Sequence, residues 1–72
     1  MYKIGQKVQI IDTIEPIIGY IVKMEIDPLE EITVTYESKE WIIYTIRVYK
    51  PFYINGYADF CRTGKEIKNA ND

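Results

Sequence analysis

Apolar and polar residues alternate with a period of two along most of this chain, which is the spacing of a β-strand with one face on a core. Residues 7–12, Lys-Val-Gln-Ile-Ile-Asp, predict a first strand with Val8 and Ile10 on one face. Gly5 before it marks a turn, and residues 13–18 read as a loop because Pro16 cannot donate to a ladder. Gly19 then opens a second strand to Ile26. In it Tyr20, Val22, Met24 and Ile26 share one face, and Ile21, Lys23 and Glu25 the other. Asp27-Pro28-Leu29-Glu30 is a turn signal. Residues 32–37 alternate most regularly, with Ile32, Val34 and Tyr36 opposed to Thr33, Thr35 and Glu37. After a short reversal at Ser38-Lys39, residues 41–44 predict a fourth strand. Residues 45–47 predict a single 3₁₀ turn, and Val48-Tyr49 a last strand.

Beyond Lys50-Pro51 the pattern changes. Phe52-Tyr53-Ile54 and Tyr57 to Phe60 flank Asn55-Gly56, the strongest short hairpin signal, because both turn positions favour φ > 0. Residues 63–72 are polar, with Ile67 the one large apolar residue, and predict a flexible tail. The expected organisation is a barrel over residues 1–50, a hairpin extension packed on it over 51–62, and a flexible tail over 63–72. The length of 72 residues supports one domain, which buries only about 60% of its unfolded surface.

Composition strengthens the β reading. Fourteen isoleucines stand against the single Leu29, and seven tyrosines, Trp41 and two phenylalanines add to them. Isoleucine is stiff at χ1 and suits a pleated sheet. Cys61 is the lone cysteine and histidine is absent. No intrachain disulfide can form, and a zinc site of the usual Cys/His type cannot be built. No signal-peptide pattern or bilayer-length apolar run occurs. Together with the lone thiol, this places the expectation in the cytoplasm.

The order of signals resembles an SH3-like barrel of KOW/Tudor type. The resemblance rests on Ile4-Gly5-Gln6-Lys7-Val8-Gln9-Ile10, the glycine-led Gly19-Tyr20-Ile21-Val22-Lys23, Ile32 to Tyr36, and Trp41-Ile42-Ile43 through Ile46 to Tyr49. It covers residues 2–50 and implies an all-β fold, a small five-stranded SH3-like barrel. Shortness and richness in Ile, Tyr and Lys are similar to small proteins of phages and mobile elements, in which case the compartment is the host cytoplasm. KOW domains imply RNA or ribosome contact, and Tudor domains an aromatic cage for a methylated cation. Strand parity sets Trp41 and Tyr44 on opposite faces, against such a cage, and Asp27, Glu30 and Glu31 occupy the turn where a base would meet phosphate.

Catalytic constellations are missing from the sequence. Without histidine there is no Cys-His pair and no Ser-His-Asp triad, and Ser38 is the only serine. The four glycines stand singly and build no phosphate loop. The expectation is therefore a non-enzymatic protein-binding module without cofactor or metal. Two surfaces stand out. One is aromatic, with Tyr49, Phe52, Tyr53, Tyr57 and Phe60 within twelve residues, a composition enriched at interfaces. The other is acidic, with Glu25, Asp27, Glu30, Glu31, Glu37 and Glu40 against Lys39 alone, which suits docking onto a basic surface. The expected partner-binding residues are Glu25, Asp27, Glu30, Glu31, Trp41, Phe52, Tyr53 and Tyr57. The expected partner is a host protein such as a nucleic-acid-binding enzyme, in the manner of a defence-system inhibitor or anti-CRISPR, with homo-oligomerisation through Tyr53 and Tyr57 a related expectation. The alternative is a KOW-like nucleic-acid-binding domain, with Lys3, Lys7, Lys23, Arg47 and Lys50 clustering near Tyr44 or Tyr49 for stacking.

Overall fold

A computed structural model describes residues 2–26 and 42–70. The fold is all-β, built on one five-stranded antiparallel sheet. The strands are β1 (Lys7–Ile10), β2 (Ile17–Ile26), β3 (Ile42–Tyr49), β4 (Tyr57–Thr63) and β5 (Ile67–Asn69), with a 3₁₀ turn at Gly64–Glu66 between the last two. Their order across the sheet is β4-β3-β2-β1-β5.

That order, combined with one short connection, forces the sheet to curl. In a flat sheet four strand spacings of about 4.8 Å would separate β4 from β5 by about 19 Å. The three-residue 3₁₀ turn joining them rises only about 2 Å per residue and spans about 8 Å. The two edges are therefore drawn together at the Thr63 end. An ion pair agrees with this bending: Arg62 Nε on β4 donates to Asp12 Oδ1, just beyond β1, at 3.0 Å. β4 and β5 are not paired with each other, so the sheet is curled but open.

The concave face holds the core: Val8, Ile10, Ile21, Tyr44, Ile46, Val48 and Ile67 are buried. Tyr2, Ile17, Met24, Ile42, Tyr53 and Phe60 pack around it. Val8 and Ile10 face inward as their alternation predicts. β3 is one continuous strand in which Tyr44, Ile46 and Val48 are buried, so the 3₁₀ turn expected at 45–47 does not form. Tyr44 is 1% exposed and is unavailable for the stacking role expected of it. The Tyr2 ring meets Tyr44 edge-on at 5.5 Å, and the Tyr2 hydroxyl donates to the Ile67 carbonyl at 3.2 Å. This seats the start of the chain on the end of the core.

β2 departs from simple alternation. Ile21 pairs with Ile46, but Lys23 pairs with Thr45, so Val22 is an extra residue in a β-bulge. The bulge reverses the phase of the strand. Ile17, Gly19 and Ile21 face inward before it, and Met24 after it. The expected face of Tyr20, Val22, Met24 and Ile26 is thus overturned in its first half: Ile21 is fully buried and Tyr20 is 41% exposed. Burying an isoleucine contributes about 1.5–3 kcal/mol, which makes this phase the favourable one.

The strands also depart from the expected partition. β4 falls in residues 51–62 and just beyond, β5 in 63–72, and both belong to the one sheet. No two-residue turn forms at Asn55-Gly56. Two successive turns form instead, with Tyr53 N–H donating to Lys50 O at 3.2 Å and Gly56 N–H to Tyr53 O at 2.9 Å. Pro51 presets the first of them, and of Asn55 and Gly56 only Gly56 has positive φ, at 79°. The segment expected as a tail enters the 3₁₀ turn through Glu66, whose Oε1 accepts from Thr63 N–H at 2.9 Å and Thr63 Oγ1 at 3.1 Å. The turn delivers Ile67 to the core and pairs β5 with β1. A strand with one buried side chain has no periodicity to read, which is why its polar composition suggested fraying.

Candidate functional site: an aromatic and basic row on the convex face

The register of four strands aligns side chains on the convex face. Lys7 lies opposite Tyr20, Tyr20 opposite Arg47, and Arg47 opposite Asp59. This makes one cross-strand row over β1, β2, β3 and β4. Beside it Tyr49 lies opposite Tyr57. The tyrosine rings follow one another, with centroids 6.3 Å apart for Tyr20 and Tyr49 and 6.2 Å for Tyr49 and Tyr57. Tyr49 is 57% exposed.

Arg47 organises the row. Its Nε and Nη2 donate to the two carboxylate oxygens of Asp59 at 2.9 and 3.1 Å, and its Cζ stands 4.0 Å from the Tyr57 ring centroid. A bidentate fork combined with ring contact fixes the guanidinium plane in a way a lysine could not. The hydrogen bond from Arg47 holds the Asp59 carboxyl below the usual aspartate range, against a smaller opposing effect of desolvation. The same hydrogen bond pushes the Arg47 pKa up. The pair stands partly in solvent, so its value lies in positioning more than in stability.

Of the expected partner-binding residues, the four that are described, Glu25, Phe52, Tyr53 and Tyr57, take different directions. Phe52 is 77% exposed and meets Tyr53 edge-on at 4.9 Å. Tyr53 turns inward and packs against the core. Tyr57 points to the convex face under Arg47. Glu25 is exposed, with its carboxylate 3.8 Å from Lys23 Nζ. Asp27, Glu30, Glu31 and Trp41 lie outside the described residues. Among the described residues acids number five and bases eight, and no group of acids, cysteines or histidines is arranged to hold a metal ion. Cys61 is exposed, and Arg62 beside it is engaged with Asp12 and the Cys61 carbonyl.

Asp59 entered no expected site, Tyr20 was not among the expected partner-binding residues, and Arg47 entered only the alternative basic cluster. Tyr20 was hidden by the bulge. The Arg47–Asp59 pair was hidden by the turn: a two-residue turn at Asn55-Gly56 would set Ile54 opposite Tyr57, whereas the longer loop sets Tyr49 there. The signal that points to the pair is the matched spacing of Arg47 and Asp59 about the Lys50–Gly56 loop. No helix among the described residues is long and apolar enough to cross a membrane. No protein-family model, curated protein or solved structure matches this chain.

Proposed function

We propose that this chain is a non-enzymatic binding module on an open SH3-like barrel, which docks a protein partner on its convex tyrosine face. The observation that carries the proposal is the Tyr20–Tyr49–Tyr57 run beside an Arg47 held in place by Asp59. Tyrosine and arginine are enriched at binding hot spots; tyrosine buries large area with few rotors to freeze, and the rotors of this arginine are already restrained by Asp59. The barrel reading is supported by the strand order, the three-residue link between the edge strands and the Arg62–Asp12 bridge. The test is capture from the source-cell lysate on immobilised protein, with a Tyr20→Ala/Tyr49→Ala variant of matched melting temperature. A discrete protein retained by the wild type and lost from the variant is expected. Identical capture by the two removes this face from the reading.

A second reading is favoured by one observation. Lys7 lies opposite Tyr20, and Lys50 directly follows Tyr49. Bases beside exposed rings form a platform for a single-stranded nucleic acid. Retardation of a labelled single strand at low salt, lost in the same variant, is its expected signature. Absence of retardation dismisses it.

A further inference from the structure

The two outermost strands of the sheet, β4 and β5, are not equivalent. β5 is three residues long, and its Ile67 carbonyl is covered by the Tyr2 hydroxyl. β4 is seven residues long and contains neither proline nor lysine, two of the devices that blunt an edge; its charged side chains, Asp59 and Arg62, are held in ion pairs with Arg47 and Asp12.

Which β4 groups face outward follows from the ladder. Lys50 N–H donates to Gly56 O at 3.1 Å, and this pair continues the β3–β4 register. Hydrogen-bonded and non-hydrogen-bonded pairs alternate in an antiparallel ladder. The residues of β4 bonded to β3 are therefore Ala58, Phe60 and Arg62. Tyr57, Asp59, Cys61 and Thr63 aim their N–H and C=O groups away from β3. Two contacts agree with this parity. Thr63 N–H is taken by Glu66 Oε1, and Cys61 O accepts from Arg62 Nη1 at 2.8 Å. The C-terminal end of the edge is thus occupied by its own chain. Among the described residues, nothing pairs the outward groups of Tyr57 and Asp59.

We infer that β4 pairs antiparallel with β4 of a second copy of this chain, on a two-fold axis through Ala58. The register follows from comparing axes at Ala58, Asp59 and Phe60. An axis at Asp59 sets the two Asp59 side chains opposite each other, and like charges directly opposite destabilise a sheet. An axis at Phe60 needs the Thr63 N–H and Cys61 O groups that are already engaged. An axis at Ala58 pairs Tyr57 with Asp59 of the second copy, twice, and uses only unengaged groups at its centre. It also brings the small Ala58 side chains together at the close, non-hydrogen-bonded position. The two open sheets become one continuous sheet, and the convex tyrosine rows lie on the same side. A single added strand pair is a small contact, so the dimer is weak and concentration-dependent.

Sedimentation equilibrium and amide hydrogen exchange on the full chain, from micromolar to millimolar concentration, test the inference. The mass rises from 8.5 kDa toward twice that value, and the Tyr57 and Asp59 amides slow several-fold over the same range. Asp59→Pro deletes an outward N–H without touching the β3 ladder, and proline is tolerated at such an edge. It remains monomeric, while Asp59→Ala, which keeps the N–H, still dimerises. Should Asp59→Pro fail to fold, the wild-type exchange decides alone. A monomer at millimolar concentration with both amides still fast overturns the inference, as does dimerisation of folded Asp59→Pro to the wild-type extent. Tyr20→Ala/Tyr49→Ala keeps this dimer, so failure here is separable from failure of the tyrosine-face reading.

Discussion

At Gly19 β2 lies too close to β3 to leave room for a side chain, and replacement by alanine isolates the effect of that approach. A Cβ at this position would lie 2.7 Å from the Arg47 backbone carbonyl oxygen, 2.7 Å from Ile46 Cγ2 and 3.0 Å from Val48 Cγ2. The carbonyl belongs to the neighbouring strand and cannot rotate aside, and the two methyl groups belong to fully buried residues. Overpacking of this kind costs about 1–3 kcal/mol. Gly19 does not have positive φ, so alanine also stiffens the unfolded chain, which returns about 0.4–1 kcal/mol. The net expectation is a loss of about 1–2 kcal/mol, or a melting temperature lower by about 5–15 °C in a domain of this size. Gly5 and Gly56 are the controls. A Cβ meets nothing within 4 Å at either, but their φ angles are 88° and 79°. Asparagine tolerates that conformation better than alanine does. At Gly5 and Gly56 asparagine should therefore melt above alanine, and at Gly19 below it. Circular dichroism melts of the six variants read this directly. A Gly19→Ala protein that melts at or above the wild type would refute the close approach.

Three further outcomes are expected. Ile21→Ala should cost about 2–5 kcal/mol in urea unfolding and Tyr20→Ala less than about 1 kcal/mol; the reverse order would mean that the bulge at Val22 is absent. Glu66→Ala removes the acceptor for two Thr63 donors and should lower stability by about 1 kcal/mol, while an unchanged urea midpoint would deny the turn its anchoring part. Because the folded pKa of Asp59 is depressed by Arg47, its contribution is present above the unfolded aspartate value and is lost as pH falls through the folded one. Asp59→Asn should flatten that acid limb of the stability curve, and an unaltered limb would count against the pair.

Much of the fold was legible where local chemistry and position in the sheet agree. Val8 and Ile10 alternate and are buried. Gly5 signals a turn and adopts one. β-branched and aromatic residues call for strands, and among the described residues strands form. Legibility failed where one residue changes the phase. Val22 has no feature that distinguishes a bulged valine from a paired one, so Ile21 and Tyr20 exchanged faces. It failed again at residues 50–56, where Asn55-Gly56 offered a tighter turn than the one built from Pro51 onward. That difference in loop length shifted the partners of every β4 residue.

What the residues alone determined is the class of the fold: β-branched and aromatic side chains in alternation can bury one face only as a sheet, and without histidine or a second cysteine neither a zinc site of the usual Cys/His type nor an intrachain disulfide can hold it. Tertiary structure decided which face each tyrosine takes, which carboxylate Arg47 meets, and that Ile67 closes the core. Those outcomes depend on strand pairs distant in sequence, and a pairing register is set jointly by both strands and the loop between them. The convex row and the outward groups of β4 are products of that register, and neither exists in any single segment.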